Sequence, residues 1–553
     1  MTVGFLGEFP KEVTTSSTAF SWIPSTAKPV PRTIAEPAFH PSISIMQRYL
    51  IPIILSAHMS VFGAQAAEKP ADSVDKPAAE APAKEAAEKP MEPIVRDGSV
   101  TIAGKKVPYQ VTTAKIQIKD DDGKPRASIF HVSYTRTDTK EPSNRPVLFA
   151  FNGGPGSSSV WLHIGLLGPK IVKLPGDGTT AALPPALVIE NPLSILDVCD
   201  LVFIDPVSTG YSRAEKEVKA DEFHGVDEDI ESVGNFVRRW VTEHNRWSSP
   251  KFILGESYGG VRAAGLSNHL QTRYGMSLNG VVLLSSLMDY ATIQPSRSNE
   301  ISYAAYLGSF TGTAHYHHKI QGDRESLIKE SNDFAFGEYA TALLKGNDLD
   351  AAACQGLAEK LARLTGISAT TWLDHDLRID PTFFRAELLR KEGKVIGRFD
   401  ARVAWDTTDK SADAAEYDPS YALSFGAFSS AMLDYLGRDL GCKEDQPYEI
   451  LSRKVQPWRW TGGNQVVDVS DRLAKAMADN PHLRVLIMGG RTDLATPPAG
   501  TAFSVRHMRG LPAGVRSNIS TVYFDGGHMF YLNPPDRTKC REDLIKFIQA
   551  GNS

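Results

Sequence analysis

Hydrophobic and polar residues alternate over two neighbouring segments shortly before residue 140. VPYQVTTAKIQI (107–118) and ASIFHVSYTR (127–136) place apolar residues at about every second position, and the turn-forming stretch DDDGKPR (120–126) lies between them. A period of two indicates β-strands with one buried face, and a connection rich in Asp, Gly and Pro indicates a turn. We therefore predict an antiparallel hairpin at the start of the folded part of the chain.

Short, almost wholly apolar runs recur downstream of this hairpin, separated by segments with helical spacing. They are VLFAFN, LVFID, KFILG, VVLLSS, LRVLIMGG and STVYFDGG. Runs without alternation are typical of strands buried on both faces of a parallel sheet. Residues 227–246 have an acidic first turn and apolar residues at helical spacing, which predicts a helix. The pattern therefore predicts an α/β fold with a mostly parallel central sheet and helices on both faces.

A long segment interrupts this rhythm of strands and helices. Residues 290–475 are rich in aromatic residues and mostly helical in pattern. We interpret them as a cap insertion over the carboxyl ends of the strands, where open α/β sheets bind ligands. The core is then formed by residues 96–289 and 476–553.

The residues before this core indicate export. From Met46 the chain has the positive, apolar and small-residue regions of a secretory signal peptide, which we place at 46–66. A membrane span needs about 20 apolar residues, and Pro52 and His58 interrupt this run. A buried core helix is the other alternative, and the flanking composition disfavours it.

Two further segments flank the predicted signal peptide. Residues 1–45 match no targeting pattern, and we interpret them as an over-extended start or a disordered extension. Residues 67–95 consist mainly of Ala, Glu, Lys and Pro, and they lack the apolar surface needed to fold. A signal peptide followed by such a linker is typical of a bacterial periplasmic or secreted enzyme.

Composition and charge exclude several classes of protein. The 553 residues are 42% hydrophobic and 23% charged, which is an ordinary globular composition, and the formal net charge of −5 offers no basic field for nucleic acid.

Four cysteines without a CxxC motif predict neither a disulfide scaffold nor a zinc site. Cys354 and Cys442 are the candidates for a disulfide, and Cys199 is expected to be a buried thiol. The cluster at 315–318 (HYHH) lacks acidic or Cys partners at ligand spacing, so we predict no metal and no cofactor.

One motif indicates nucleophilic catalysis. Gly255-Glu256-Ser257-Tyr258-Gly259 follows the predicted strand KFIL and precedes the helix-like VRAAGLSNHLQTRY. This strand–turn–helix setting is the one that a nucleophile elbow requires, because the strained turn exposes the serine hydroxyl above the sheet.

A nucleophilic serine also needs a base and an orienting carboxylate, which follow an elbow of this kind in the order acid, then histidine. Asp493 comes just after the run LRVLIMGG, and His528 comes after STVYFDGG, so both are expected at the edge of the sheet where Ser257 lies. Asp525 and His507 lie in the same part of the chain and remain alternatives. We favour Asp493 and His528.

The intermediate of such a reaction needs two backbone N–H groups directed at one point. Tyr258, the residue after the nucleophile, supplies one of them. The Gly-rich loop that follows VLFAF, NGGPGSSS at 152–159, is expected to supply the other. The loop contains neither GxxxxGK[ST] nor GxGxxG, which excludes a phosphate-binding interpretation.

Five motifs together resemble those of the serine carboxypeptidase family, the carboxypeptidase Y-like α/β-hydrolases. The motifs occur in the family's order and spacing between about residues 100 and 548: NGGPGSSS, FIDPVSTGYS, GESYGG, TDLATPPAG and GGHM. The resemblance implies an α/β-hydrolase fold with a largely helical cap insertion. It also implies that Ser257 is the nucleophile, Asp493 the acid and His528 the base, with Gly154 and Tyr258 as the oxyanion donors.

The same resemblance implies how a peptide's end would be recognised. Asn152 and Glu256 would bind the C-terminal carboxylate, and Met529 would line the pocket of the leaving residue. The loops contain no Lys or Arg, so we infer recognition by hydrogen bonds, for which Glu256 must be protonated. Burial and the substrate's charge are expected to raise its pKa. Many eukaryotic members carry a Glu where this chain has Leu166, so a second acid that would share the proton of Glu256 is missing.

The sequence therefore predicts a serine carboxypeptidase acting on peptides with a free C-terminus. An esterase or acyltransferase with the same triad is the close alternative, because plant members of the family include acyltransferases. A non-catalytic binding protein is the distant one, and the filled triad and oxyanion positions disfavour it.

Overall fold

The computed structural model describes residues 91–460 and 466–551. The predicted upstream extension (1–45) and signal peptide (46–66) lie outside these residues. The linker predicted over 67–95 also lies outside them as far as residue 90, and the first strand begins at Ile94, inside that segment.

The strands include the predicted hairpin and all six apolar runs. In chain order they are β1 (Ile94–Ile102), β2 (Lys105–Lys119), β3 (Pro125–Arg136), β4 (Val147–Phe151), β5 (Lys170–Val172), β6 (Val188–Glu190), β7 (Asp200–Ile204), β8 (Arg213–Ala214), β9 (Lys251–Glu256), β10 (Gly280–Leu284), β11 (Lys394–Ile396), β12 (Ala404–Asp406), β13 (Arg484–Gly490) and β14 (Ile519–Phe524). These strand predictions are confirmed.

The helices include the one predicted over 227–246, which spans Val226–Glu243. In chain order they are α1 (Val160–Leu162), α2 (Val226–Glu243), α3 (Gly259–Tyr274), α4 (Glu300–Tyr316), α5 (Arg324–Phe334), α6 (Ala340–Lys345), α7 (Ala351–Thr365), α8 (Ala369–Asp374), α9 (Pro381–Glu387), α10 (Pro419–Asp434), α11 (Ser470–Asp479), α12 (Pro498–Arg506), α13 (Ala513–Arg516) and α14 (Pro534–Gly551). Shorter 3₁₀ and π-helical turns connect several of them, including Arg453–Val455 and Phe530–Leu532.

One mixed sheet organises the described part of the chain. Its order is β1-β2-β3-β7-β4-β9-β10-β13-β14, with β8 beside β3. The pairs from β7 to β14 are all parallel, whereas β1, β2, β3 and β7 pair antiparallel. Because β4 lies next to β9, and β13 next to β14, the loops that follow these strands meet at one edge of the sheet.

Hydrophobic clusters cover both faces of this sheet. On one face Phe252 packs against Phe547 of α14, with ring centroids 6.0 Å apart. On the other face Phe149 packs edge-on against Trp240 of α2 at 5.4 Å. Burial of both strand faces explains why the runs are apolar throughout, and the predicted α/β-hydrolase fold class is confirmed.

The region between β10 and β13 is largely helical and has a hydrophobic cluster of its own, which we call the cap cluster. It contains residues of α4, α7 and α9, and the rings of Phe310 and Phe384 stack in it at 3.9 Å. Leu494, the residue after Asp493, packs into the same cluster. The cap therefore packs internally and also contacts one of the loops above the sheet.

The four cysteines are free in this structure. Cys199 is a buried thiol as expected, but no bond joins Cys354 to Cys442. Cys354 lies on α7 in the cap, whereas Cys442 packs in the cluster against the sheet. The considered disulfide is therefore wrong because the two thiols belong to different packing units. Within the described helices, none combines the length and the apolar character needed to cross a membrane.

Candidate active site

Ser257 occupies a strained turn between β9 and α3. Its φ of 63° lies in the left-handed region, which non-glycine residues rarely adopt. The Ser257 N–H donates to Leu284 O at 3.1 Å and so anchors the turn to the neighbouring strand β10. A Cβ on Gly255 would lie 2.0 Å from Gly259 O, so no side chain fits there. The glycines permit the turn, and the turn exposes the serine.

His528 and Asp493 come together above the sheet. His528 Nδ1 lies 2.9 Å from Asp493 Oδ2, and both side chains are buried. Asp493 Oδ1 accepts the N–H groups of Ala495 and Thr496 at 2.7 and 2.9 Å, which orients the carboxylate. Burial alone would lower the pKa of His528, but the Asp493 carboxylate and its hydrogen bond outweigh burial and raise the pKa above its usual value.

The alternative acid and base lie elsewhere. Asp525 is exposed and pairs with Arg324 at 2.7 Å. His507 is an exposed residue after α12, and its Nδ1 lies 2.8 Å from Phe503 O. Ser257 and His528 line the same cavity, although no hydrogen bond joins these two described side chains. Catalytic hydrogen bonds are often long without substrate and shorten when it binds.

Two backbone N–H groups adjoin Ser257 and are free to bind an oxyanion. A Cβ on Gly153 would lie 2.4 Å from Tyr258 N, so the loop after β4 touches the elbow itself. Gly154 follows with a φ of 103°. Among the described residues no acceptor bonds Gly154 N–H or Tyr258 N–H. Unpaired N–H groups beside a nucleophile are what an oxyanion hole requires.

Asp205 holds the loop after β4 from the other side. It accepts from Ser159 N at 2.8 Å and Ser159 Oγ at 2.9 Å, so the loops after β7 and β4 are joined. Burial raises the pKa of Asp205 to about 6, while these hydrogen bonds oppose the rise. The motif FIDP thus has a positioning contact that the sequence pattern did not assign.

Glu256 and Asn152 are buried in the cavity beside Ser257. Burial raises the pKa of Glu256 to about 7, in the expected direction. Tyr531 OH donates to Glu256 Oε2 at 2.9 Å, and Leu162 N–H donates to Asn152 Oδ1 at 3.2 Å. Tyr531 therefore gives Glu256 a neighbouring donor in a structure where Leu166 replaces the second acid. The sequence reasoning missed Tyr531, for which the only signal was its place three residues after His528.

The site lies in a cavity of about 310 Å³. Its described lining includes Ser257, His528, Gly154, Asn152, Glu256 and Met529, together with apolar side chains from the cap. Met529 is buried, with 8% of its surface exposed. Arg398 and Arg453, from the segment predicted as a cap, also line the cavity. The Gly-rich loop and the elbow contain no cationic residue, as the sequence showed. The cavity wall nevertheless has two, and nothing in the pattern of residues 290–475 indicated their presence there.

Comparison with known proteins finds similar sequences. A protein-family model described as "Serine carboxypeptidase" matches residues 119–520. Serine carboxypeptidase-like 2 of Arabidopsis thaliana is 28% identical over 204 residues, which are 34% of this chain and 43% of that protein. Serine carboxypeptidase-like 20 of the same plant is 33% identical over 133 residues, or 24% and 26% of the two chains. The matches thus span less than half the length of these curated relatives.

Among solved structures, a prohormone-processing carboxypeptidase from Saccharomyces cerevisiae aligns with a TM-score of 0.49 and 15% identity. The alignment covers 80% of this chain and 91% of that one.

If Ser257 is activated by His528 and Asp493, a fluorophosphonate probe should label it covalently. Ser257→Ala is expected to abolish labelling, and His528→Ala or Asp493→Asn to slow it by roughly 10³–10⁴-fold, since the base or its orientation is lost. The measurement is the rate of labelling followed by mass spectrometry. His507→Ala and Asp525→Asn are the matched controls and should label at the parental rate. Loss of labelling in His507→Ala but not in His528→Ala would contradict the assignment.

Proposed function

The chain belongs to the serine carboxypeptidase family, and we propose that it releases C-terminal amino acids from peptides through an acyl-enzyme on Ser257. The observation that carries this proposal is the cavity itself. It combines Ser257 and His528 with a buried carboxyl, Glu256, and a buried amide, Asn152, beside the serine. A hydrolase that does not bind a carboxylate would have no evident use for the buried Glu256 and Asn152.

In the proposed first step Ser257 attacks the carbonyl of the last peptide bond. The bond between Oγ and the carbonyl carbon forms while His528 takes the hydroxyl proton. Asp493 holds the imidazole in the tautomer that has its accepting nitrogen towards the serine, and it stabilises the imidazolium. His528 then gives the proton to the leaving nitrogen, the C–N bond breaks, and the C-terminal amino acid departs.

The second step reverses these roles with water. His528 takes a proton from water, the hydroxide attacks the acyl carbon, and the ester bond to Ser257 breaks as its oxygen regains a proton. In both steps negative charge develops on the carbonyl oxygen. Gly154 N–H and Tyr258 N–H are available to stabilise it, because neither has an acceptor among the described residues.

Recognition of the chain end is proposed to use Glu256 as a donor. A carboxyl group with a pKa of about 7 retains much of its proton at neutral pH, so it can donate to the substrate's carboxylate. Asn152 can donate through its amide nitrogen, because its oxygen already accepts from Leu162 N–H. Met529 would contact the side chain of the leaving residue.

Release of a free amino acid tests this function directly. An N-blocked dipeptide with a free C-terminus should yield its last residue, and the reaction should disappear in Ser257→Ala. Amino-acid analysis of the products is the measurement. Hydrolysis of simple esters without any amino-acid release would instead support the esterase or acyltransferase alternative.

The pKa of Glu256 predicts how peptide binding depends on pH. Below about pH 7 the group is protonated and donates to the substrate's carboxylate; above it, ionisation places two negative charges face to face. KM for a free-acid peptide should therefore rise above pH 7, by up to about tenfold per pH unit. The matched C-terminal amide lacks the anion and should escape the rise.

Glu256→Gln provides the control enzyme, since its amide donates at every pH. It should flatten the rise of KM for free-acid peptides. A parallel rise for acid and amide substrates, or an unchanged profile in Glu256→Gln, would contradict this account of recognition.

We also propose that the enzyme is exported to the bacterial periplasm or secreted. The support is the signal-peptide pattern at 46–66 and the linker composition that follows it. N-terminal sequencing of protein recovered outside the cytoplasm should begin near Ala67. Recovery of a mature chain that retains residues 1–45 would overturn the proposal.

A further inference from the structure

Arg398 belongs to a cap segment that is bonded to both the acid and the base loops. Its carbonyl accepts the N–H of Leu494, the residue after Asp493, at 3.1 Å. The next residue, Phe399, accepts the N–H of His528 through its carbonyl at 2.5 Å. These two backbone hydrogen bonds fix the position of Arg398 relative to the catalytic pair, although the residues are distant in sequence.

Arg453 follows a second segment whose backbone is bonded to a loop of the site. Ser452 N–H donates to Gly156 O at 2.8 Å, and Ser158 N–H donates to Ile450 O at 3.0 Å. The segment before Arg453 is therefore paired with the loop expected to form the oxyanion hole. The two arginines thus reach one cavity from separate segments, each of which is bonded to a catalytic loop.

Neither guanidinium has an acidic partner within 4 Å in the part of the chain that the structure describes. Asp418, which accepts the backbone N–H of Arg398, lies 4.0 Å from a different arginine, Arg385. By contrast, the buried Arg246 and Arg262 have acidic partners, Asp200 at 2.7 Å and Asp229 at 2.8 Å. Both side chains are exposed in the case of Arg398 and Arg453, and the Arg398 guanidinium lies 5.3 Å from the centroid of the Phe399 ring. Two cations without an acidic partner thus line the cavity and are available to an anion that arrives with the substrate.

Below about pH 7 Glu256 is mostly protonated and contributes little opposing charge. It is the acid among the described residues that line the cavity, and burial raises its pKa to about 7. It is also committed to Tyr531 and, under the proposed function, to the terminal carboxylate. A second anion would therefore meet the arginines and not a competing carboxylate.

We propose that Arg398 and Arg453 bind a second carboxylate of the substrate, so that the enzyme prefers peptides with an acidic side chain next to the scissile bond. This specificity rests on the proposed carboxypeptidase function. The ligand chemistry is a side-chain carboxylate, and the peptides that follow distinguish whether the leaving residue or the preceding one carries it.

Two isosteric pairs of N-blocked dipeptides test the preference. Phe-Glu against Phe-Gln varies the leaving residue, and Glu-Phe against Gln-Phe varies the acyl residue. The parental enzyme should favour the Glu peptide in one pair by roughly two- to fivefold in kcat/KM, as expected for an ion pair with solvent-exposed arginines against its neutral isostere. Equal rates within both pairs would overturn the proposal.

The variants assign the preference to the arginines. Arg398→Gln and Arg453→Gln should each lower the Glu/Gln ratio, and the double variant should bring it near one, while Arg398→Lys should retain part of it. Arg509→Gln, an exposed arginine outside the cavity, is the matched control and should keep the parental ratio. A ratio that survives in the double variant would refute the assignment, and because both peptides meet the same enzyme, a folding defect cannot imitate its loss.

A binding measurement separates this proposal from the proposed function. N-acetylglutamate should protect Ser257 from fluorophosphonate labelling at roughly two- to fivefold lower concentration than N-acetylglutamine, and the double variant should remove the difference. This readout needs no peptide hydrolysis. Absence of amino-acid release with this protection intact would reject only the carboxypeptidase activity. Equal protection by the two compounds would reject the second-carboxylate site.

Discussion

The loops after β4 and β9 approach each other more closely than any side chain would permit, and the rest of the site depends on this approach. The position that a Cβ would take on Gly153 lies 2.4 Å from Tyr258 N and 2.6 Å from Gly259 N. The gain is geometric: Ser257 and both unpaired N–H groups come from backbone that is held in contact. The cost is the left-handed φ at Ser257, which surrounding hydrogen bonds to β10 must stabilise.

Buried charges hold the same loops in register. Arg262 is only 1% exposed, pairs with Asp229 at 2.8 Å and donates to Asn152 O at 2.7 Å. Its guanidinium also lies over the rings of Phe151 and Tyr258, at 5.0 and 5.4 Å from their centroids. One cation thus joins α2, α3 and the end of β4 beneath the cavity. The Arg262 guanidinium therefore fixes the relative position of these elements, because a conformation that separated it from Asp229 would leave a charge unpaired in the interior.

Much of the fold could be predicted from the sequence because its signals are local. Apolar runs indicate strands with two buried faces, and the glycines of the elbow indicate a turn that has no room for side chains. The meeting of Asp493 with His528 also followed, since parallel strands deliver their loops to one edge. By contrast, Tyr531 meets Glu256 across 275 positions of sequence through packing alone. The segment of Arg398 is held by hydrogen bonds to residues distant in sequence, Leu494 and Asp418 among them, so no periodicity could reveal its position.

The internal packing of the cap has an evolutionary consequence. Phe310, Phe384 and their neighbours form a hydrophobic cluster separate from those on the two faces of the sheet. The cluster also includes Leu494, the residue after Asp493, so a substitution in it can be transmitted to the acid loop. The cap can therefore vary freely only away from this contact and from the backbone hydrogen bonds that join Arg398 and Phe399 to the loops of Asp493 and His528.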